Sequence, residues 1–101
     1  MKSSNGIGAS TAFYVSQSTD QPAAEGFLAT AATGSPWGSG SQHGGPPAAL
    51  LTRAIERLET GNERVIGRFT MELLGPVPVG PLSVTATVVR PGRTVELCEA
   101  R

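Results

Sequence analysis

Eight of the fourteen residues from 34 to 47 are glycine or proline, and they run straight into the one stretch of this 101-residue chain with sustained helical periodicity. Neither residue type extends a helix or a central strand well, because glycine loses the most backbone entropy on ordering and proline lacks an N–H. The segment is therefore an irregular junction, and the helix behind it must begin abruptly. Ala48, Leu51, Ile55 and Leu58 recur on one face, with Arg53, Glu56, Arg57 and Thr60 largely off it. Pro46 and Pro47 suit a first turn, where an N–H has no intrahelical acceptor to lose, and Gly61-Asn62 supplies a left-handed stop. The spacing predicts a helix over residues 46–60, about 22 Å long.

One amphipathic helix needs a sheet to cover it. A chain of this length makes one domain and buries only about two-thirds of its unfolded surface, so the core should be thin. Over residues 64–73 the period changes to two: Val65, Gly67, Phe69, Met71 and Leu73 alternate with Arg64, Ile66, Arg68, Thr70 and Glu72. That predicts a half-buried strand. A second Gly/Pro junction follows, with five of the seven residues from 75 to 81. Residues 82–89 read as another strand, Arg90-Pro91-Gly92-Arg93 as a type II turn, and 94–100 as the returning strand. Upstream, 11–15 and 26–30 are weaker strands. The expectation is an α+β fold, an antiparallel sheet wrapped around one helix, with residues 1–10 a flexible N-terminus and 11–101 the domain.

Charge narrows the function classes. Eight Lys and Arg balance eight Asp and Glu, and only 16% of residues are charged. A nucleic-acid or anionic-membrane surface needs a clustered basic excess, which this chain lacks. Cys98 is the single cysteine and His43 the single histidine, so neither a disulfide framework nor a tetrahedral zinc site is expected, and no metal is assigned. Lys2 is followed by Ser3, Ser4, Asn5 and Gly6 with no apolar signal region, and no stretch approaches a membrane span. The expectation is a soluble, cytoplasmic protein.

Most motif matches in the Gly-rich junction fail. A dinucleotide fingerprint would need glycine at position 43, the only lysine is Lys2, and Gly-x-Ser-x-Gly occurs nowhere. What remains is Gly44-Gly45 opening the helix. N–H groups there lack intrahelical partners and carry the positive end of the dipole, so they suit a carbonyl oxygen that gains charge during acyl transfer. Equally, the pair serves simply as a tight turn. His43 is a candidate base or donor, or else a loop histidine bonded to backbone. Gln42 is a candidate for positioning water or a carbonyl, and Trp37 for lining a ligand tunnel or lidding the core. Cys98 reads as a small buried hydrophobe rather than a nucleophile. Glu56 and Glu59 read as surface ion-pair partners.

The segments AFYV (12–15), GFLAT (26–30), GSPW (34–37), QHGGPPAALL (42–51), MELLGPVPVG (71–80) and VVRPGR (88–93), in this order, resemble the N-terminal hotdog of thioesterase-like proteins of the acyl-CoA thioesterase II type. The likeness runs from about Ala12 to Arg101. It implies a hotdog fold in which the His-Gly-Gly turn leads into the central helix. It further implies hydrolysis of an acyl-CoA thioester to a carboxylic acid and free CoA, by water, without a cofactor and without a covalent enzyme intermediate. Members of that family are usually tandem double hotdogs whose Asp, Ser/Thr and Gln catalytic set lies in the second repeat. On that basis the chain is expected to be a truncated first half, pairing with a second hotdog or forming a homo-oligomer and serving fatty acid metabolism. Gln42, His43, Gly44 and Gly45 carry over as its helix-start region, with Trp37 beside them. Two other readings stay open: a non-catalytic hotdog module for acyl binding or dimerisation, and a hydratase, whose Asp–His pairing is missing because Asp20 and His43 are far apart.

Overall fold

The computed structural model describes residues 12–36, 38–58 and 63–101. In chain order it places β1 (Tyr14–Gln17), β2 (Glu25–Ala29), a 3-10 turn (Ala31–Thr33), β3 (Gly34–Ser35), β4 (Gly38–Gln42), α1 (Gly45–Glu56), β5 (Pro81–Val84), β6 (Ala86–Arg90) and β7 (Leu97–Ala100). Every ladder is antiparallel. β1, β2 and β5 form one sheet in that order, β3 pairs with β4, and β6 pairs with β7. One helix on antiparallel sheets is the α+β arrangement expected, and it is consistent with a hotdog.

β2 lies at the centre of its sheet, with Tyr14 opposite Ala29 and Gln17 opposite Gly26 on one side, and Glu25 opposite Val84 on the other. A Cβ on Gly26 would collide with the backbone carbonyl oxygen of Gln17, so close approach of β1 requires glycine there. The Pro-Val-Pro-Val-Gly segment then stitches the sheets together. The Gln42 N–H donates to the Val77 carbonyl at 2.7 Å, Val79 donates to Gly40 at 2.9 Å, and Ala29 donates to Gly80 at 2.8 Å.

The buried apolar cluster is Phe27 from β2, Leu50 from α1 and Val84 from β5, with Tyr14, Leu51, Ala54 and Leu82 packed against it. The helix therefore presents Pro47, Leu50, Leu51 and Ala54 inward, an i, i+3, i+4, i+7 stripe. Periodicity had placed Ala48, Leu51, Ile55 and Leu58 on that face. Only Leu51 is common to both, because Leu50, with 6% exposure, fits between Phe27 and Val84 and sets the rotation. Helix α1 also ends earlier than expected, at Glu56, where the Arg57 N–H bonds to the Arg53 and Ile55 carbonyls. The expected stop at Gly61-Asn62 lies outside the described residues, as do Glu59, Thr60 and residues 1–11.

Three strand expectations need correction. Residues 64–73 form no strand; Val65 is 91% and Leu73 58% exposed. Alternation gives a segment the right faces, but a strand exists only through a ladder, and no neighbouring strand pairs with this one. Instead Arg64 anchors its start, a guanidinium N–H donating to the Gly92 carbonyl at 2.6 Å. The expected strand over 82–89 is two strands broken at Thr85, because its halves pair with different partners, β2 and β7. Thr85 and Arg101 exchange two 2.8 Å backbone bonds, which carry the β6–β7 ladder one residue further. Finally, β7 begins at Leu97 rather than at 94, and the link is not a type II turn. Among the described residues only Gly40 and Gly80 have positive φ, so Gly92 lacks the backbone a type II turn demands. Glycine is needed there for space, since a Cβ would strike the Val95 carbonyl oxygen. Val89 is the extra residue of a bulge between Val88 and Arg90.

Candidate functional site

The start of α1 is built by subtraction. The first four N–H groups of a helix have no intrahelical acceptor, and here two of those four positions are Pro46 and Pro47, which have no N–H. The Gly44 and Gly45 amides are what remains, both on exposed residues and concentrating the positive end of the dipole on two donors. Gly44 is the N-cap, with helical backbone (φ −71°, ψ −24°) and no side chain to bond inward. The N2 and N3 amides that a side-chain cap would bond are absent from Pro46 and Pro47, so the glycine N-cap forgoes nothing, and the Gly44 and Gly45 N–H groups stay open.

His43 lies just before them, exposed, its ring edge-on to Phe13 at 6.1 Å between centroids. Its backbone N–H donates to the Thr33 carbonyl at 2.9 Å, and Thr33 is completely buried, its hydroxyl donating to the Thr30 carbonyl at 2.8 Å. The loop before the helix is thus held on a buried turn while the imidazole faces outward. Among the described residues no carboxylate bonds to it.

Gln42 is directed inward. It is 8% exposed, its Nε2 donates to the Pro78 carbonyl at 2.7 Å, and its Oε1 accepts from the Tyr14 hydroxyl at 2.5 Å. The orientation of the amide follows from chemistry, since a carbonyl only accepts and so must face the NH2 group. The amide therefore clamps β1 and the 76–80 segment to the loop leading into the helix. Burial pushes the Tyr14 phenol up to about 12, so it remains a hydrogen-bond donor throughout the neutral range. Trp37 lies outside the described residues. Cys98 on β7 is half-buried, and burial, with the Glu96 carboxylate beside it, pushes its thiol above the usual range. A thiol held protonated is a poor nucleophile.

Along the middle of α1 runs a groove of about 320 Å³, lined by Phe13, Tyr14, Ser16, Phe27, Ala49, Leu50 and Arg53. Phe13 belongs both to this groove and to the His43 contact. Phe13 thus links His43 to the groove, while Gly44 and Gly45 open the helix whose Ala49, Leu50 and Arg53 line it, and Gln42 supports the loop from its buried side. Sequence reasoning missed Phe13, Tyr14 and Arg53. Tyr14 left one signal, as the only tyrosine in the chain: a phenol on a strand that packs inward needs a polar partner.

Among the described residues no three His, Cys, Asp or Glu side chains gather where they could hold a metal ion, and no helix is long and apolar enough to cross a membrane. Residues 33–101, more than half of the chain, match the family model described as the acyl-CoA thioesterase N-terminal domain. No curated protein and no solved structure matches the chain significantly.

Proposed function

This chain belongs to the acyl-CoA thioesterase N-terminal domain family, and from that premise we propose that it serves the hydrolysis of an acyl-CoA thioester to a carboxylic acid and free CoA. The observation that carries the reading is a pair of open backbone donors, Gly44 and Gly45, at the start of the helix whose Ala49 and Leu50 line a largely apolar groove. A thioester carbonyl held on those N–H groups would gain their stabilisation as its oxygen becomes negative in the tetrahedral transition state, while the acyl chain lies along Ala49 and Leu50. Water is the nucleophile in this proposal, since the raised Cys98 thiol lies on β7 and lines no part of the groove.

A general base is the missing part. With no carboxylate on His43 among the described residues, we assign the polar catalytic set to a second hotdog of different sequence within a longer chain. This chain then contributes the oxyanion donors, with His43 beside them, and the acyl-facing wall. Gln42 acts through the clamp that holds the loop, and Trp37 keeps the substrate-binding role that the resemblance suggests for it. No cofactor enters the proposal, and the setting is cytoplasmic fatty acid metabolism.

The test is CoA release, followed by a thiol reagent over acyl-CoAs of increasing chain length, from the 101-residue chain and from a longer chain carrying a second hotdog. Hydrolysis by the longer chain alone is expected. Turnover by the 101-residue chain would overturn the division of labour, and no turnover by either would favour a non-catalytic acyl-binding module. That His43 has no carboxylate partner among the described residues is the observation that keeps that second reading in view.

A further inference from the structure

The groove beside α1 has a chemical asymmetry that thioester hydrolysis does not use. Of the described residues lining it, Arg53 alone is charged, and the rest of the wall is aromatic and aliphatic apart from Ser16. The guanidinium carbon lies 5.4 Å from the centroid of the Phe27 ring, a cation–π arrangement that settles the charge against the groove wall. One guanidinium N–H donates to Glu25 at 3.1 Å. Both side chains of that pair are more than two-fifths exposed, so the bridge is a weak one that a better ligand can displace. A guanidinium has five N–H donors in a fixed fork, and Glu25 engages one of them.

An open groove of about 320 Å³, at the small end of ligand-sized cavities, lined mainly by aromatic and aliphatic side chains with a single cation among them, complements an aliphatic chain that carries a carboxylate. We propose that this groove binds such a chain, with its methylenes on Phe13, Phe27 and Leu50 and its carboxylate forked on Arg53. Two sources share that chemistry: a free aliphatic acid, or the distal carboxylate of a dicarboxylic acyl group whose other end is the thioester. The proposal rests on the groove and Arg53, not on turnover.

Binding is therefore the readout, by calorimetry and by the NMR signal of the Arg53 Nε–H, using octanoate, octanamide, the CoA monothioester of octanedioic acid, octanoyl-CoA and free CoA. Octanoate should bind at least about tenfold more tightly than octanamide, as charge-assisted bonds to a guanidinium require. Arg53→Gln should erase that difference. Glu25→Gln, an exposed change that releases the guanidinium, should widen it, which keeps the test decisive if Arg53→Gln folds poorly. A matching Arg53 dependence for the octanedioic thioester beyond that for octanoyl-CoA assigns the distal carboxylate; dependence for octanoate alone assigns the free acid. Equal affinity of octanoate and octanamide overturns the proposal. So does an Arg53 dependence of the same size for free CoA, which would mark a phosphate contact. Because no step requires hydrolysis, failure here is separable from failure of the thioesterase reading.

Discussion

Replacing Tyr14 with Phe removes one oxygen atom and tests the clamp behind the helix start. Its hydroxyl donates to Gln42 Oε1 at 2.5 Å, and Gln42 is 8% exposed. Losing a neutral hydrogen bond costs about 0.5–1.5 kcal/mol, and leaving a buried acceptor unpaired costs about 1–3 kcal/mol. Tyr14 is itself only half-buried, so water can partly replace it, and the lower part of that range applies: about 1–2 kcal/mol. For a domain of this size each 1 kcal/mol is worth about 4–8 °C in Tm. Urea denaturation and thermal melts monitored by circular dichroism would measure both quantities. Gln42→Met, similar in shape, supplies the second arm of a double-mutant cycle, and the two changes should be non-additive by about 0.5–1.5 kcal/mol. A loss below about 0.3 kcal/mol for Tyr14→Phe, or simple additivity, would refute the clamp.

The same residue makes a pH prediction. Burial raises the folded-state phenol from 10.0 to about 12. Between those values the folded protein holds a proton that the unfolded chain has released, so stability falls as pH rises through the window. Below pH 10 the full stability is present. An ionised Tyr14 would also set a phenolate against the Gln42 carbonyl oxygen. Tyr14→Phe should flatten this alkaline limb, and an unchanged limb in the variant would remove Tyr14 as its cause.

Three further outcomes are expected. Leu50→Ala should cost about 2–5 kcal/mol, since Leu50 is one of three members of the buried cluster, and a shift under about 1 kcal/mol in urea would mean the helix does not dock there. Gly26→Ala should cost about 1–3 kcal/mol by prising β1 from β2, whereas Gly38→Ala, which meets nothing, should stay within about 0.5 kcal/mol; equal effects would contradict the packing. Gly45→Pro deletes one open donor at a helix position that tolerates proline, so in a catalytically competent longer chain kcat should fall by about 10²–10³ with little change in Tm, and an unchanged kcat would remove Gly45 as an oxyanion donor.

What was legible in the sequence was local. The helix starts within one residue of its expected position because proline and glycine act through their own φ angles and missing atoms, which no distant contact can alter. β2 falls within one residue of its expected place, β1 is shifted about three residues later, and the chain reverses around Arg90–Arg93, since β-branched and aromatic residues bounded by Gly and Pro carry that information in short windows. The pairing of Gly44 and Gly45 with a helix start, and the family resemblance, were equally readable. Tertiary structure decided what depends on partners far along the chain. The Tyr14–Gln42–Pro78 link spans separations of 28 and 36 residues, so no window contains it. The rotation of α1 was settled by the gap between Phe27 and Val84, not by its own periodicity. Residues 64–73 have the alternation of a strand yet lack a ladder, while 82–89 divides at Thr85 because two partners compete for it. Arg53, read from sequence as off the apolar face, became the charged residue of the groove only when Phe27 came beneath it. Periodicity specifies which faces a segment has, and packing alone specifies what each face meets.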